Sequence, residues 1–78
     1  MDNFTEEEIR TFNALTETPK GITDIMKINN LGYYKTQSIL TNFVKIGMVE
    51  PDNKTKIVKY KKKLKVDIPE PEYAEDYE

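Results

Sequence analysis

The residues best equipped to meet another molecule lie close together. Tyr33, Tyr34, Gln37, Ser38 and Thr41 recur at spacings that a helix gathers on one side, and they are neutral hydrogen-bonders and aromatics. Groups of this kind contact base edges and phosphate oxygens. A merely solvated face would carry long ion-pairing side chains, which are mostly missing here. Lys35, Lys45, Lys54, Lys56, Lys59, Lys61, Lys62 and Lys63 add cations of the sort that neutralise phosphates. Bond-breaking chemistry has no comparable set. The chain has no Cys and no His, which excludes metal sites built on thiolate or imidazole and the usual His-assisted nucleophiles. Its carboxylates sit at a helix start, in turns and in a C-terminal tail, with no base, nucleophile or phosphate loop beside them. No enzyme activity, cofactor or small-molecule substrate is therefore expected.

Length and charge constrain the partner. Seventy-eight residues make one domain at most, and so short a chain buries only roughly 60% of the surface its unfolded form exposes. A core plus a substrate-sized cleft is not expected. With 37% hydrophobic and 33% charged residues, the composition is that of a soluble globular chain. No apolar run approaches the roughly 20 residues of a membrane span, and Met1 to Glu8 is acidic and polar rather than signal-like. A cytoplasmic protein without membrane contact is expected. The net charge of −2 conceals an asymmetry: residues 1 to 19 carry five acids and one base, residues 20 to 66 eleven lysines against three acids, and residues 67 to 78 six acids and no base. The middle is thus +8 between flanks of −4 and −6. A polyanion responds to that local potential rather than to the mean.

Phe4 to Ile9 spells a helix start, with Thr5 as N-cap, Glu8 as its capping-box partner, and Phe4 and Ile9 as a hydrophobic staple. Helix one begins at Glu6, repeats Ile9, Phe12 and Leu15 on one face, and is closed by Thr18-Pro19-Lys20-Gly21. Its glutamates suit the positive end of the helix dipole, a purely structural role. A short second helix starts near Thr23, whose hydroxyl can cap it, and points Ile25, Met26 and Ile28 inward. Asn29-Asn30-Leu31-Gly32 breaks it, with Asn30 suited to positive φ, Leu31 plugging the core and Gly32 as the next N-cap. The third helix, Tyr33 to about Ile46, turns Thr36, Leu40 and Phe43 inward with Ile39 and Val44 at the margins. Tyr34, Ser38, Thr41 and Lys45 are left outside, with Gln37 and Asn42 on the flanks. Gly47 stops this helix, Met48-Val49-Glu50 opens a strand, Pro51 to Thr55 is turn chemistry, and Ile57, Val58 and Tyr60 return as a second strand. The lysines of this hairpin suit a grip on a phosphate backbone, or the protection of an edge strand from aggregation. Leu64, Val66 and Ile68 alternate with Lys65 and Asp67, so the strand is expected to continue or pair again before Pro69 ends it. Residues 69 to 78 are too charged and too poor in apolar groups to fold alone, and disorder is expected there.

The order helix, helix, turn, helix, strand, basic turn, strand resembles the winged helix-turn-helix superfamily. Leu40 to Glu50, LTNFVKIGMVE, is similar to the end of its recognition helix: two apolar residues three apart, then a glycine and two more apolar residues. The resemblance spans residues 4 to about 66, and small archaeal and bacterial repressors, including short ones encoded by archaeal viruses and plasmids, are the nearest likeness. Two features depart from the pattern. Asn30 stands where the turn more often has glycine, and an acidic tail stands where many members have a long dimerisation helix. The resemblance implies an α+β fold of three helices and a small antiparallel hairpin over residues 1–68, followed by the tail over 69–78. It also implies a sequence-specific double-stranded DNA-binding protein, most simply a transcriptional regulator. Helix 33–46 would lie in the major groove with Tyr33, Tyr34, Gln37, Ser38 and Thr41 at the bases. The hairpin 50–61 would be the wing, and Lys35, Lys45, Lys54, Lys56, Lys59, Lys61, Lys62 and Lys63 would meet the backbone or minor groove. A homodimer is left open, with helix one or Leu64 to Ile68 as its surface. The alternative is a protein-docking module with the tyrosine-bearing acidic tail as partner motif, since fold does not fix function.

Overall fold

The first helix starts as its sequence requires. Thr5 Oγ1 accepts from the Glu8 amide at 3.1 Å while Glu8 Oε1 accepts from the Thr5 amide at 2.8 Å, which satisfies two of the amides that a helix start leaves orphaned. In this computed structural model, which describes residues 4–69, α1 runs Glu6–Ala14 and closes when the Leu15 amide bonds back to the Phe12 carbonyl. It ends before the Thr18–Gly21 signal, of which Lys20–Gly21 forms a two-residue strand, β1. Helix α2, Ile22–Asn29, follows directly with Gly21 as its N-cap and no side-chain cap. The expected capping role of Thr23 is thereby corrected, since Thr23 already lies inside the helix.

Ile28 is a second correction. It is 47% exposed rather than inward, because the buried stripe of α2 is set by Ile25 and Asn29, one turn apart, with Ile22 and Met26 partly covered beside them. At 100° per residue Ile28 falls on the other side of that stripe. Asn30 then takes the left-handed conformation at φ 59°, ψ 41°, and Gly32 is the N-cap of α3, Tyr33–Lys45. Thr36, Ile39, Leu40 and Phe43 form the buried face of α3. Gly47, at φ 84°, turns the chain out of the helix.

The helices enclose an apolar cluster of Phe12, Leu15, Ile25, Ile39, Leu40, Phe43 and Val49. The Phe43 ring lies 5.4 Å from Phe4 and 5.2 Å from Phe12, both tilted. A buried polar hub joins the three helices at the edge of this core. Asn29 Nδ2 donates to Thr11 Oγ1 at 2.9 Å and to Thr36 Oγ1 at 3.4 Å, Asn29 Oδ1 accepts from the Leu31 amide, and Thr11 donates to the Glu7 carbonyl. Among the described residues no buried side-chain polar atom lacks a partner, which is the condition for such a network to be stabilising.

Over the described residues the protein is α+β, with three helices and a three-stranded antiparallel sheet. Strands β2, Val49–Asp52, and β3, Lys59–Lys62, form a hairpin, and β1 pairs on the free edge of β3, giving the order β1-β3-β2. Tyr60 therefore faces Lys20 on one side and Pro51 on the other. The return strand starts later than the β-formers suggest. Ile57 and Val58 belong to the loop 53–58 and are 65% and 40% exposed. Residues 63–69 form no strand either: Leu64 and Val66 are exposed, and the segment is tied down by other means. The Lys63 and Leu64 amides both donate to the Met48 carbonyl. Asn13 clamps the Ile68 backbone, donating to its carbonyl at 2.9 Å and accepting from its amide at 2.8 Å. The acidic tail expected over 69–78 lies, from residue 70 onward, outside the described residues. Among the described residues no helix is long and apolar enough to cross a membrane.

Candidate nucleic-acid interface

Burial of Thr36, Ile39, Leu40 and Phe43 fixes the rotation of α3, so its remaining positions must face solvent. Tyr33, Tyr34, Gln37, Ser38, Thr41, Asn42 and Lys45 are all exposed, Tyr34 to 83%. None of the side-chain hydrogen bonds among the described residues falls on these seven residues. Tyr33 and Tyr34 meet edge to face with centroids 5.2 Å apart, which restrains both rings at the start of the helix. Gly32 supplies no side-chain cap there and the first turn holds no acid. Its first amides are thus left for solvent or a ligand at the positive end of the helix dipole.

A shallow groove separates this face from the start of α1. Thr5, Glu7 and Glu8 form one wall, and Tyr34, Lys35, Ser38 and Asn42 the other. Lys35 crosses it, its ammonium 2.9 Å from Glu7 Oε1. The hydrogen bond and the charge of Glu7 raise the Lys35 pKa above the ordinary lysine value. Lys35 is therefore a cation that any phosphate must share with α1.

The hairpin lysines divide by strand phase. Val49 opposite Lys62 and Pro51 opposite Tyr60 occupy one face of the β2–β3 ladder, the face on which Val49 is buried and Tyr60 packs against the core. Glu50 opposite Lys61 and Asp52 opposite Lys59 occupy the other. Lys59 and Lys61 thus each have a carboxylate directly across the ladder, which trims their local potential. Lys54 and Lys56 lie beyond the ladder in the exposed loop, and no acid occurs between Asn53 and Val66.

Lys62 is not presented to solvent with the other hairpin lysines. Its side chain is only 9% exposed, its ammonium is paired with Asp67 and sits 4.9 Å over the Phe12 ring. A cation held between a carboxylate and an aromatic face belongs to the interior rather than to a phosphate-facing surface. Period two could have shown this in the sequence, because a strand that turns Tyr60 inward turns Lys62 inward as well. Asn29, Thr11 and Asn13 are not legible as structural residues in the sequence, because their partners lie up to 55 positions away. Asparagine and threonine carry no burial signal of their own, so only the assembled core identifies them. Compared with known proteins, the chain matches no family model, no curated protein and no solved structure.

Proposed function

We propose that this protein binds double-stranded DNA sequence-specifically as a transcriptional regulator of the winged helix-turn-helix type. In this reading α3 enters the major groove and the β2–β3 hairpin is the wing against the backbone or minor groove. The observation that carries it is the outer face of α3. Tyr34, Gln37, Ser38 and Thr41 are exposed hydrogen-bonding side chains with no partner among the described residues and no acid in their row, and the exposed hairpin loop adds Lys54 and Lys56. Base edges offer the donors and acceptors such a face lacks, and phosphates suit the lysines. The αL turn at Asn30 and the polar hub fix the angle between α2 and α3, so the helix is presented rigidly.

Selection of bound duplexes from a random pool tests this reading. Recovery of a consensus, with retention on heparin that falls steeply with salt, supports it. A two-fold symmetric consensus with half-site centres about 10 base pairs apart would add a homodimer. One observation favours a second reading, a protein-docking domain: Glu7 and Glu8 wall the groove beside Tyr34 and Ser38, and carboxylates there repel phosphate. Elution from heparin at low salt with no consensus would select that reading instead.

A further inference from the structure

Ile57 and Val58 have no structural reason to be apolar. Both are exposed in the hairpin loop, and neither packs against the core cluster, although Tyr60 two residues later does. The loop that holds them is braced. Asp52 Oδ1 accepts from the Lys54 amide at 3.0 Å, and Thr55 Oγ1 donates to the Ile57 carbonyl at 2.9 Å. Its return strand is the central one, so Lys59, immediately after Val58, is paired with Asp52 on one side and Gly21 on the other. The result is an exposed apolar pair on the return side of the loop, directly before the central strand and flanked by Lys54, Lys56 and Lys59.

Those lysines decide what the apolar pair can meet. Another copy of this loop would bring like charges together, which argues against self-association. A surface that is anionic outside and apolar within satisfies both sets of residues, and stacked base pairs behind two phosphate rails are such a surface. We propose that Ile57 and Val58 form a wedge that enters the minor groove beside the α3 site, partly unstacks a base step and bends the duplex. The proposal rests on the DNA-binding reading above and deepens it. On this view the lysines set affinity through phosphate contacts, while the wedge makes the site favour sequences that kink easily, such as pyrimidine–purine steps.

The test compares the full chain with the double variant Ile57→Ser/Val58→Ser, a second double variant Ile57→Thr/Val58→Thr that keeps the β-branched shape, and Leu64→Ser as an exposed apolar control. Thermal melts come first, and both double variants are expected to melt like the parent. On the selected duplex, the parent should bend DNA by about 20 to 90° in end-to-end energy transfer and brighten 2-aminopurine at the central step. The double variants should lose both signals and bind about tenfold more weakly. Their salt slope should be unchanged, since no phosphate contact is removed. Leu64→Ser should match the parent. Equal bending by the parent and the double variants, or a straight duplex under the parent, overturns the wedge and leaves the DNA reading intact. No duplex binding by the parent overturns the DNA reading itself. Binding to phosphatidylserine vesicles that depends on Ile57 and Val58, without bending of duplex, assigns the apolar pair to an anionic membrane and overturns the wedge.

Discussion

Helices α1 and α3 pack into the same core, yet they dispose of their polar groups in opposite ways. On α1 nearly every polar side chain is spent inside the molecule: Glu8 on the cap with Thr5, Glu6 on Arg10 at 3.2 Å, Glu7 on Lys35, Thr11 on the hub, Asn13 on Ile68. On α3, among the described residues, only Lys35 and the buried Thr36 are used in this way. The outer row of Tyr34, Gln37, Ser38 and Thr41 is left over. Folding therefore accounts for the polar residues of α1 and does not account for those of α3, and a binding role is inferred only from the second kind.

The most damaging way to break this comparison is through the core the two helices share. Phe43→Ala removes a ring that touches both Phe4 and Phe12 and should cost about 3 to 5 kcal/mol, a large part of what so small a domain has. Denaturant unfolding would read it. A variant as stable as its parent would mean that the rotation of α3, and so the identity of its outer face, is wrong. Asn29→Ala comes next, at about 1 to 3 kcal/mol, because the Leu31 amide and two buried threonine hydroxyls lose their common partner. No loss in the urea midpoint would show that the hub does not fix the turn between α2 and α3.

Which parts of this were legible in the sequence follows from range. The Thr5–Glu8 capping box, the αL turn at Asn30 and the division of α3 into inner and outer faces are local patterns, and all three are present. The strand at Lys20–Gly21 and the clamped segment 63–69 depend on partners far along the chain. Period alone pointed Leu64, Val66 and Ile68 toward another strand. A side-chain amide, Asn13, bonds the Ile68 backbone instead, as a neighbouring strand would. The candidate site was legible in its helix and less so in its hairpin, where strand phase removes Lys62 and cross-strand acids face Lys59 and Lys61.

A third experiment sharpens the contrast at the level of single side chains. Gln37→Ala should leave stability within about 0.5 kcal/mol while shifting base preference by about 1 to 3 kcal/mol at one position. Lys56→Ala should weaken all sequences alike and flatten the salt slope by about 0.9. Lys62→Ala should do the reverse of Lys56→Ala, lowering the melting temperature with the salt slope unchanged, because its ammonium is engaged by Asp67 and Phe12. Identical binding losses from all three would remove the distinction between base-reading, phosphate-meeting and structural residues.

The smallest effect is also the most direct comparison of the two helices, because it gives α3 the kind of start that α1 already has. Gly32 caps α3 at φ −74°, an ordinary extended conformation, and a Cβ built there meets nothing within 4 Å. Gly32→Asp should therefore be accepted and should stabilise the fold by about 0.3 to 1 kcal/mol, through a side-chain cap and a negative charge at the dipole's positive end. If the first turn of α3 faces a phosphate, the same carboxylate competes with it, so duplex binding should weaken as the melting temperature rises. Gly32→Ser separates the two causes by adding a cap without a charge. It should gain a few tenths of a kcal/mol and bind more tightly than the Asp variant. The mirror change, Thr5→Ala, should cost about 1 kcal/mol and leave DNA affinity alone in the folded protein. A Gly32→Asp variant that gains stability and still binds duplex like the parent would show that the start of α3 points away from the backbone, and the docking of the helix would have to be turned accordingly.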